Sequence, residues 1–149
     1  KIARSGKINY ELLNELNALE YFKKTYPKSL GFEFVKEIIL PLIEKYAITI
    51  EDKMNTFIEH IAIQTKIALP NQSGKILITG GGAYNIFLLE RMQFHLSNIE
   101  FNIPDKKILE YKEALIFGLL GVLQLRNEVN VLSSVTGAKM NHSSGEIYS

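Results

Sequence analysis

The chain contains no cysteine among its 149 residues. Without a thiol it can form no disulfide, no cysteine nucleophile and no zinc-thiolate site. Its three histidines, His60, His95 and His142, are too scattered along the sequence to suggest a metal cage. The sequence therefore predicts no metal site, and a chain without disulfides favours the cytoplasm.

The sequence also lacks a large excess of one charge and any long apolar run. Its net charge is +1, and lysine and arginine gather into no long block, so no electrostatic signal points to nucleic acid. The apolar stretch 38–43 is far shorter than the roughly 20 residues that span a bilayer, and no signal peptide opens the chain. We expect neither nucleic acid nor a membrane as a partner.

The residues that are present have the composition of a soluble globular protein. The chain is 46% hydrophobic and 22% charged, and its length suits a single domain over residues 1–149. It starts at Lys1 without an initiator methionine and is patterned from its first residues. We therefore expect it to be part of a longer polypeptide.

Apolar periodicity predicts an alternation of helices and short strands, which is typical of an α/β layer. The last predicted helix is so apolar that we expect it to be buried, with Gly118 and Gly121 allowing a close backbone approach. The segment 133–149 is rich in Ser, Thr and Gly and is predicted to lie on the surface. The predicted helices cover residues 10–19, 33–46 with a kink or break at Pro41, 49–70, 85–96 and 110–126, and the predicted strands cover 75–79 and 99–103.

A glycine turn, Gly80 to Gly82, follows the first predicted strand and precedes a helical pattern. Residues without Cβ let a ligand approach the main chain closely, and the following helix offers unpaired N–H groups and a positive dipole end. This arrangement suits a nucleotide or another planar anion. Glycines that merely permit a tight strand-to-helix connection are an equally good interpretation. The spacing matches neither a P-loop nor a dinucleotide-binding fingerprint.

Four further residues have a functional interpretation and a structural one. Asn85 could hydrogen-bond a ribose or a base, or could cap the following helix. Glu113 could bind sugar hydroxyls, or could stabilise the positive end of its helix. Lys28 and Ser29 could contact phosphate or sugar, or could serve the geometry of a turn. No Ser-His-Asp or Cys-His constellation is evident, so no catalytic residue is assigned in this chain.

Five separated stretches, taken together, resemble one family, the anhydro-N-acetylmuramic acid kinases of the sugar kinase, heat-shock and actin superfamily. Leu30, Phe32 and Ser133 depart from the residues usual in that family. The matching stretches are Ala3-Arg4-Ser5-Gly6-Lys7-Ile8, Pro27-Lys28-Ser29-Leu30-Gly31, Leu77-Ile78-Thr79-Gly80-Gly81-Gly82-Ala83-Tyr84-Asn85, Lys112-Glu113-Ala114-Leu115-Ile116-Phe117 and Ser134-Val135-Thr136-Gly137-Ala138.

The resemblance implies a fold and a reaction. The fold would be the C-terminal lobe of a two-lobed, ribonuclease H-like (actin-like) ATPase, an α/β structure with a mixed sheet covered by helices. The family opens the 1,6-anhydro ring of anhydro-N-acetylmuramic acid with water and phosphorylates its 6-oxygen, using ATP with Mg²⁺, in cell-wall recycling. Its water-activating Asp belongs to an Asp-Thr-Gly-Pro-Gly-Asn segment upstream of the stretch that matches Lys1.

The same resemblance implies roles for particular residues. Gly80, Gly81, Gly82 and Asn85 would contact the adenosine part of ATP, Glu113 would lie on the substrate side, and Lys28 and Ser29 are weaker candidates there. The assembly would be a homodimer, and this chain without the N-terminal lobe would be inactive. The alternative is a non-catalytic ATP-binding or interaction module with the same fold.

Overall fold

The computed structural model describes residues 1–25, 28–69, 71 and 73–146. The chain divides into two compact units, Lys1–Ile103 and Pro104–Ser149. The described residues are mostly helical, with one small parallel sheet. Among their helices, none combines the length and the apolarity that a bilayer crossing demands.

The centre of the first unit is a long helix, α6 (Ile50–Ala68). Thr49 caps it, since its side-chain oxygen accepts a hydrogen bond from the N–H of Asp52 at 3.2 Å. Glu51 and Asp52 add negative charge at the positive end of the helix. The helix predicted over 49–70 is confirmed up to Ala68, and Pro70, which was expected to close it, lies outside the described residues.

The first three helices of the chain are α1 (Ile2–Ser5), α2 (Tyr10–Ala18) and α3 (Glu20–Lys23). The predicted helix 10–19 corresponds to α2, which Asn9 caps by accepting a hydrogen bond from the N–H of Leu12 at 2.9 Å. Leu12 and Leu16 of α2 are fully buried and form the hydrophobic core together with Ile39 and Leu42. The leucine spacing therefore places one face of α2 in the core.

The helix predicted over 33–46 is observed as three consecutive helical segments: α4 (Phe32–Phe34), a π-helical turn (Val35–Ile39) and α5 (Leu40–Glu44). Pro41 lies in the first turn of α5, where a missing N–H costs least. The predicted break is therefore replaced by a change of helical pitch just before the proline. Pro27, which belongs to the family stretch before this helix, lies outside the described residues.

Two parallel strands, β1 (Gly74–Leu77) and β2 (Ile99–Asn102), form the sheet, in the register Gly74 to Ile99 through Leu77 to Asn102. Between them lie a 3₁₀ turn (Gly81–Tyr84) and α7 (Ile86–His95), which confirms the predicted order of strand, glycine turn, helix and strand. The expected mixed sheet is not observed, because the described residues contain only this parallel pair.

The second unit contains α8 (Lys106–Leu125), capped by Asp105, and the short α9 (Ser133–Thr136), which ends at Gly137 with φ +74°. The prediction that this apolar helix is buried is wrong, because no residue of α8 is buried. A Cβ added at Gly118 or Gly121 would have no neighbour within 4 Å, so the expected close approach is absent as well. Helical periodicity reports an apolar face, but another element must cover that face to bury it.

The tail predicted to lie on the surface is exposed at most of its described positions, 133–146. It is nevertheless ordered by an antiparallel bridge between Val131 and His142. Asn130 adds to this order, since its side chain donates to Ser144 O at 2.9 Å and accepts from Ser144 N at 2.8 Å. Residues 147–149 of the predicted segment lie outside the described residues.

Candidate functional site

The glycine turn forms an open corner at the carboxyl end of β1. Gly80 has φ +78° and ψ −175°, a conformation that essentially only glycine adopts without strain. Gly81 and Gly82 are exposed, and a Cβ built on any of the three glycines would have no neighbour within 4 Å. The main chain is therefore open to a ligand at this corner.

The 3₁₀ turn that starts at Gly81 leaves backbone donors available. Its hydrogen bonds run from the N–H of Ala83 to Gly80 O at 3.1 Å and from the N–H of Asn85 to Gly82 O at 3.0 Å. The N–H groups at the first two positions of such a turn have no partner within it. Those two groups belong to Gly81 and Gly82, which are the residues that the sequence pattern proposes for contact with an anionic or planar ligand.

Asn85 is the N-cap of α7, as the structural interpretation of this residue predicts. Its Oδ1 accepts a hydrogen bond from the N–H of Leu88 at 3.2 Å. The cap engages the carbonyl end of the exposed side chain, so the Nδ2 amide is the end that can donate to a ligand. Capping and ligand contact are therefore compatible functions of one residue.

Glu113 lies in the interior of α8 and is exposed. The expectation that it stands at the start of its helix is wrong, because α8 begins at Lys106 and its N-cap is Asp105. A carboxylate two turns into a helix is beyond the range over which the dipole stabilises a charge. Stabilisation of the positive helix end therefore does not explain Glu113, and its substrate-side role stays a prediction.

Lys28 and Ser29 lie in the segment between α3 and α4. The Lys28 Nζ donates to Phe22 O at 3.3 Å and stands 5.4 Å from the centroid of the Tyr21 ring, while Ser29 is exposed. Lys28 borders a mostly apolar cavity of about 690 Å³ between α3, α6 and the π-helical turn, and no lining residue of that cavity belongs to the glycine turn. The predicted sugar or phosphate contact stays a prediction.

A buried ionic cluster between α6 and α7 was missed by sequence reasoning. Glu59 of α6 is only 5% exposed and accepts hydrogen bonds from Arg91 Nε at 2.6 Å and Arg91 Nη2 at 3.0 Å. Its Oε1 also lies 2.7 Å from Nε2 of His95. Arg91 and His95 are four residues apart on α7, so both side chains reach α6 from one helix face. That spacing, opposite an acidic residue among the apolar positions of α6, is the signal that could have revealed the cluster.

Electrostatics keep the Glu59 carboxyl of this cluster charged. Burial raises the pKa of Glu59, but hydrogen bonds and charge from Arg91 and His95 outweigh it and hold the pKa of this carboxyl below its ordinary range. The hydrogen bond to Glu59 in turn raises the pKa of Arg91. The contact between α6 and α7 therefore contains a fully partnered carboxylate. In the residues that the structure describes, no group of three or more His, Asp or Glu could hold a metal ion.

The described residues define a mostly helical protein with one small parallel sheet, in which a strand, an open glycine turn and a helix follow one another. The profile of the family described as "Anhydro-N-acetylmuramic acid kinase" matches residues 1–149, and the chain belongs to that family. The resemblance seen in the five sequence stretches is thereby confirmed.

Individual relatives carry the same description. An anhydro-N-acetylmuramic acid kinase of Aliivibrio fischeri (strain ATCC 700601 / ES114) is 34% identical over 157 residues, covering 98% of this chain and 42% of the relative. The enzyme of the same name from Sulfurovum sp. (strain NBC37-1) is 33% identical over 151 residues, covering 98% and 41%. The chain thus spans about two fifths of the length of the relatives it matches.

Proposed function

We propose that this chain forms the nucleotide-contacting lobe of a two-lobed, ATP-dependent anhydro-N-acetylmuramic acid kinase. The observation that carries the proposal is the open corner at Gly80, Gly81 and Gly82, found within a family match over the whole chain. In the proposed reaction, water opens the 1,6-anhydro ring, and the γ-phosphoryl group of ATP is transferred to the 6-oxygen of the sugar. The reaction takes place in the cytoplasm, where ATP is available.

The proposed contribution of this lobe is to bind and orient the nucleotide. The N–H groups of Gly81 and Gly82 face one side of the adenosine moiety, and the absence of side chains lets the ligand come within contact distance. The Nδ2 group of Asn85 donates a hydrogen bond to the ribose or the base. Water is excluded only when a second lobe closes over the nucleotide, since a one-sided surface cannot enclose it.

Activation of the attacking water is assigned to the second lobe, because family resemblance places the responsible Asp in a segment that is not part of this sequence. Mg²⁺ would neutralise charge on the phosphates. No group of three or more His, Asp or Glu among the described residues could hold the ion, and Mg²⁺ binds mainly through phosphates, waters and one or two carboxylates, so the proposal assigns it no ligand in this chain. We expect the chain without the second lobe to be inactive.

Two further partners belong to the proposal. Glu113 on the exposed surface of α8 accepts hydrogen bonds from hydroxyl groups of the anhydro sugar, which suits a carboxylate without an ion-pair partner among the described residues. A second copy of the chain covers apolar residues of α8 in a homodimer, because a helix with no buried residue leaves a large apolar face in water.

The test is a titration of the ¹⁵N-labelled chain with ATP, ADP and AMP, followed by amide chemical shifts. We expect dissociation constants in the millimolar range for all three nucleotides, since the adenosine contacts are shared and half of the cleft is absent. Shifts should concentrate on residues 80–85. Shifts confined to other regions, or micromolar binding by the isolated chain, would contradict the proposal.

A second experiment separates the kinase from the non-catalytic module. The chain is expressed in one polypeptide after a lobe that carries the Asp-Thr-Gly-Pro-Gly-Asn segment from a relative, and formation of sugar phosphate from anhydro-N-acetylmuramic acid and ATP is measured. The kinase proposal expects activity that disappears when the Asp of that segment is changed to Asn. A fused protein that binds ATP but forms no product supports the module instead.

A further inference from the structure

The glycine turn runs directly into α7, so the orientation of α7 sets the position of the turn. Only Tyr84 and Asn85 separate Ala83 from the first turn of this ten-residue helix. A helix moves as a rigid element, and a small tilt about its middle displaces its N-terminal end. Whatever fixes α7 against the rest of the unit therefore fixes the backbone donors of Gly81 and Gly82.

One buried carboxylate holds α7 on α6. Glu59 receives the bidentate hydrogen bond of Arg91 and the hydrogen bond of His95, which lie in the second and third turns of α7. Bidentate pairing of a guanidinium with a carboxylate fixes direction as well as distance. Since three hydrogen bonds converge on one side chain, α7 can neither rotate nor slide along α6 without losing one of them.

A second clamp comes from the family stretch at residues 3–8, to which the proposed function gives no role. Arg4 of α1 forms a bidentate ion pair with Glu90 of α7, at 2.7 and 2.8 Å, and lies 5.1 Å from the centroid of the Phe87 ring. This pair is about half exposed and contributes little stability by itself. Its effect is geometric, because it connects α7 to α1 at a point separate from the Glu59 contact.

Three side chains of α6 hold the segment that follows α1. Asp52 Oδ1 accepts from the N–H of Lys7 at 2.6 Å, Asn55 Nδ2 donates to Gly6 O at 2.8 Å, and Thr56 Oγ1 accepts from the N–H of Asn9 at 2.9 Å. The backbone of Gly6 touches α6 so closely that a Cβ there would lie 2.1 Å from Glu51 O. The clamp on Glu90 is therefore anchored to the same helix that carries Glu59.

We propose that Glu59 is a positioning residue for the nucleotide-contacting turn, acting through Arg91 and His95 to orient α7, with Arg4 as the second restraint. The inference rests on the proposed function, in that the turn it positions is the one assigned to ATP. Glu59 lies within the interface between α6 and α7, where it is only 5% exposed, so it acts through Arg91 and His95.

The test compares Glu59→Gln with the matched control Glu20→Gln in the full chain. Glu20 also forms an ion pair, at 2.6 Å to Lys23, but this pair is exposed on α3 and does not involve α7. In the nucleotide-free state we expect Glu59→Gln to shift the amide signals of residues 81–85 and to accelerate hydrogen exchange at the hydrogen-bonded amides of Ala83 and Asn85. ATP binding should weaken by about tenfold at a temperature where the variant stays folded. Glu20→Gln should change neither.

Different results would contradict the proposed function and the positioning role of Glu59. If the wild-type chain shows no ATP response at the turn, the proposed function fails, and the nucleotide-free signals of residues 81–85 still decide the positioning role. Unchanged signals and exchange rates at the turn in folded Glu59→Gln would overturn the inference. Should Glu59→Gln fail to fold, His95→Gln, which keeps the Arg91 pair, takes its place, with a smaller shift at the same amides as the expected result.

Discussion

The ring of His60 lies 2.7 Å from Asn17, measured from Nδ1 to Oδ1. The same Oδ1 accepts a hydrogen bond from Gln64 Nε2 at 2.9 Å. A carbonyl oxygen only accepts, so Nδ1 of His60 carries the proton and donates it to Asn17. His60 is only 2% exposed, and its ring packs against Phe22 with centroids 4.8 Å apart. The residue is therefore a core histidine, hydrogen-bonded in its neutral form.

This environment predicts a dependence of stability on pH. Burial lowers the pKa of His60 from 6.5 to about 4. The unfolded chain therefore binds a proton at a pH where the folded chain does not. The contribution of neutral His60 to the free energy of unfolding is complete above pH 6.5 and is lost as the pH falls toward 4. We expect the free energy of unfolding, measured with urea, to decrease over this range by up to about 3 kcal/mol from this group.

Two variants isolate the contribution of His60. His60→Phe keeps a flat apolar ring but cannot bind a proton, so it should flatten the pH dependence between 6.5 and 4. His142→Gln removes an exposed histidine of the second unit and should leave the slope as it is. An equal slope in wild type and His60→Phe would show that the pH dependence has another source.

Gly6 predicts a second stability effect, because its close contact with α6 involves backbone atoms. A Cβ at this position would lie 2.1 Å from Glu51 O and 2.6 Å from Asp52 N, neither of which can move without distorting the start of α6. We expect Gly6→Ala to lower the free energy of unfolding by about 1–3 kcal/mol, as overpacking does elsewhere. Urea denaturation measures the change.

Gly31→Ala is the matched control for Gly6→Ala. A Cβ at Gly31 would approach only the Oε2 atom of Glu33, which is the end of a flexible, exposed side chain and can turn away. We expect a change within about 0.5 kcal/mol for this variant. A loss at Gly31 as large as that at Gly6 would mean that the contact with α6 is not the cause.

Local signals predicted much of the fold correctly. Thr49 caps α6 and Asn9 caps α2, and both caps depend on a short side chain that reaches an N–H three residues further on. The strand, glycine turn and helix around Gly80 follow equally local rules, since a positive φ demands glycine wherever the chain takes that conformation. The corner is open because three consecutive glycines place no side chain there.

Features that depend on contacts between residues far apart in the sequence were not predicted. The three bonds of Glu59 join residues more than 30 positions apart. The four-residue spacing of Arg91 and His95 indicates a shared helix face, but it does not identify the residue of α6 that this face contacts. The burial of α8 was predicted wrongly for the same reason, because its apolar pattern does not say which surface covers it. The π-helical turn before Pro41 lies where Ile39 and Leu42 enter the core, and sequence spacing did not reveal it.

Gly81→Val tests the turn by filling the open corner without disturbing the fold. Gly81 is not among the residues with positive φ, and a Cβ there meets no atom within 4 Å, so a branched side chain fits the free protein. It would occupy the space assigned to the adenosine. We expect the dissociation constant for ATP to rise at least about tenfold, measured by amide shifts, because close approach to the backbone is lost.

The control for Gly81→Val is Gly31→Val, a glycine replacement away from the turn. It should leave the dissociation constant for ATP unchanged, and both variants should keep the far-ultraviolet circular dichroism of wild type. If ATP binds Gly81→Val as it binds wild type, the glycine turn is removed from the nucleotide site.

The exposed apolar face of α8 predicts self-association of the chain. Leu115, Leu119 and Val122 are spaced four and three residues apart, so they lie on one face of the helix, and they are 67%, 58% and 51% exposed. Covering such a face removes apolar area from water at about 25 cal/mol per Å². We expect sedimentation velocity at micromolar concentrations to show a dimer that Leu115→Glu shifts toward monomer.

Val135→Glu provides the comparison for Leu115→Glu. Val135 of α9 is 79% exposed, so its replacement adds the same charge at another exposed apolar position of the same unit without touching the face of α8. It should leave the sedimentation profile as it is. If Val135→Glu dissociates the chain as strongly as Leu115→Glu does, general charge repulsion is the cause. A wild-type chain that stays monomeric throughout would show that α8 does not form a homodimer contact.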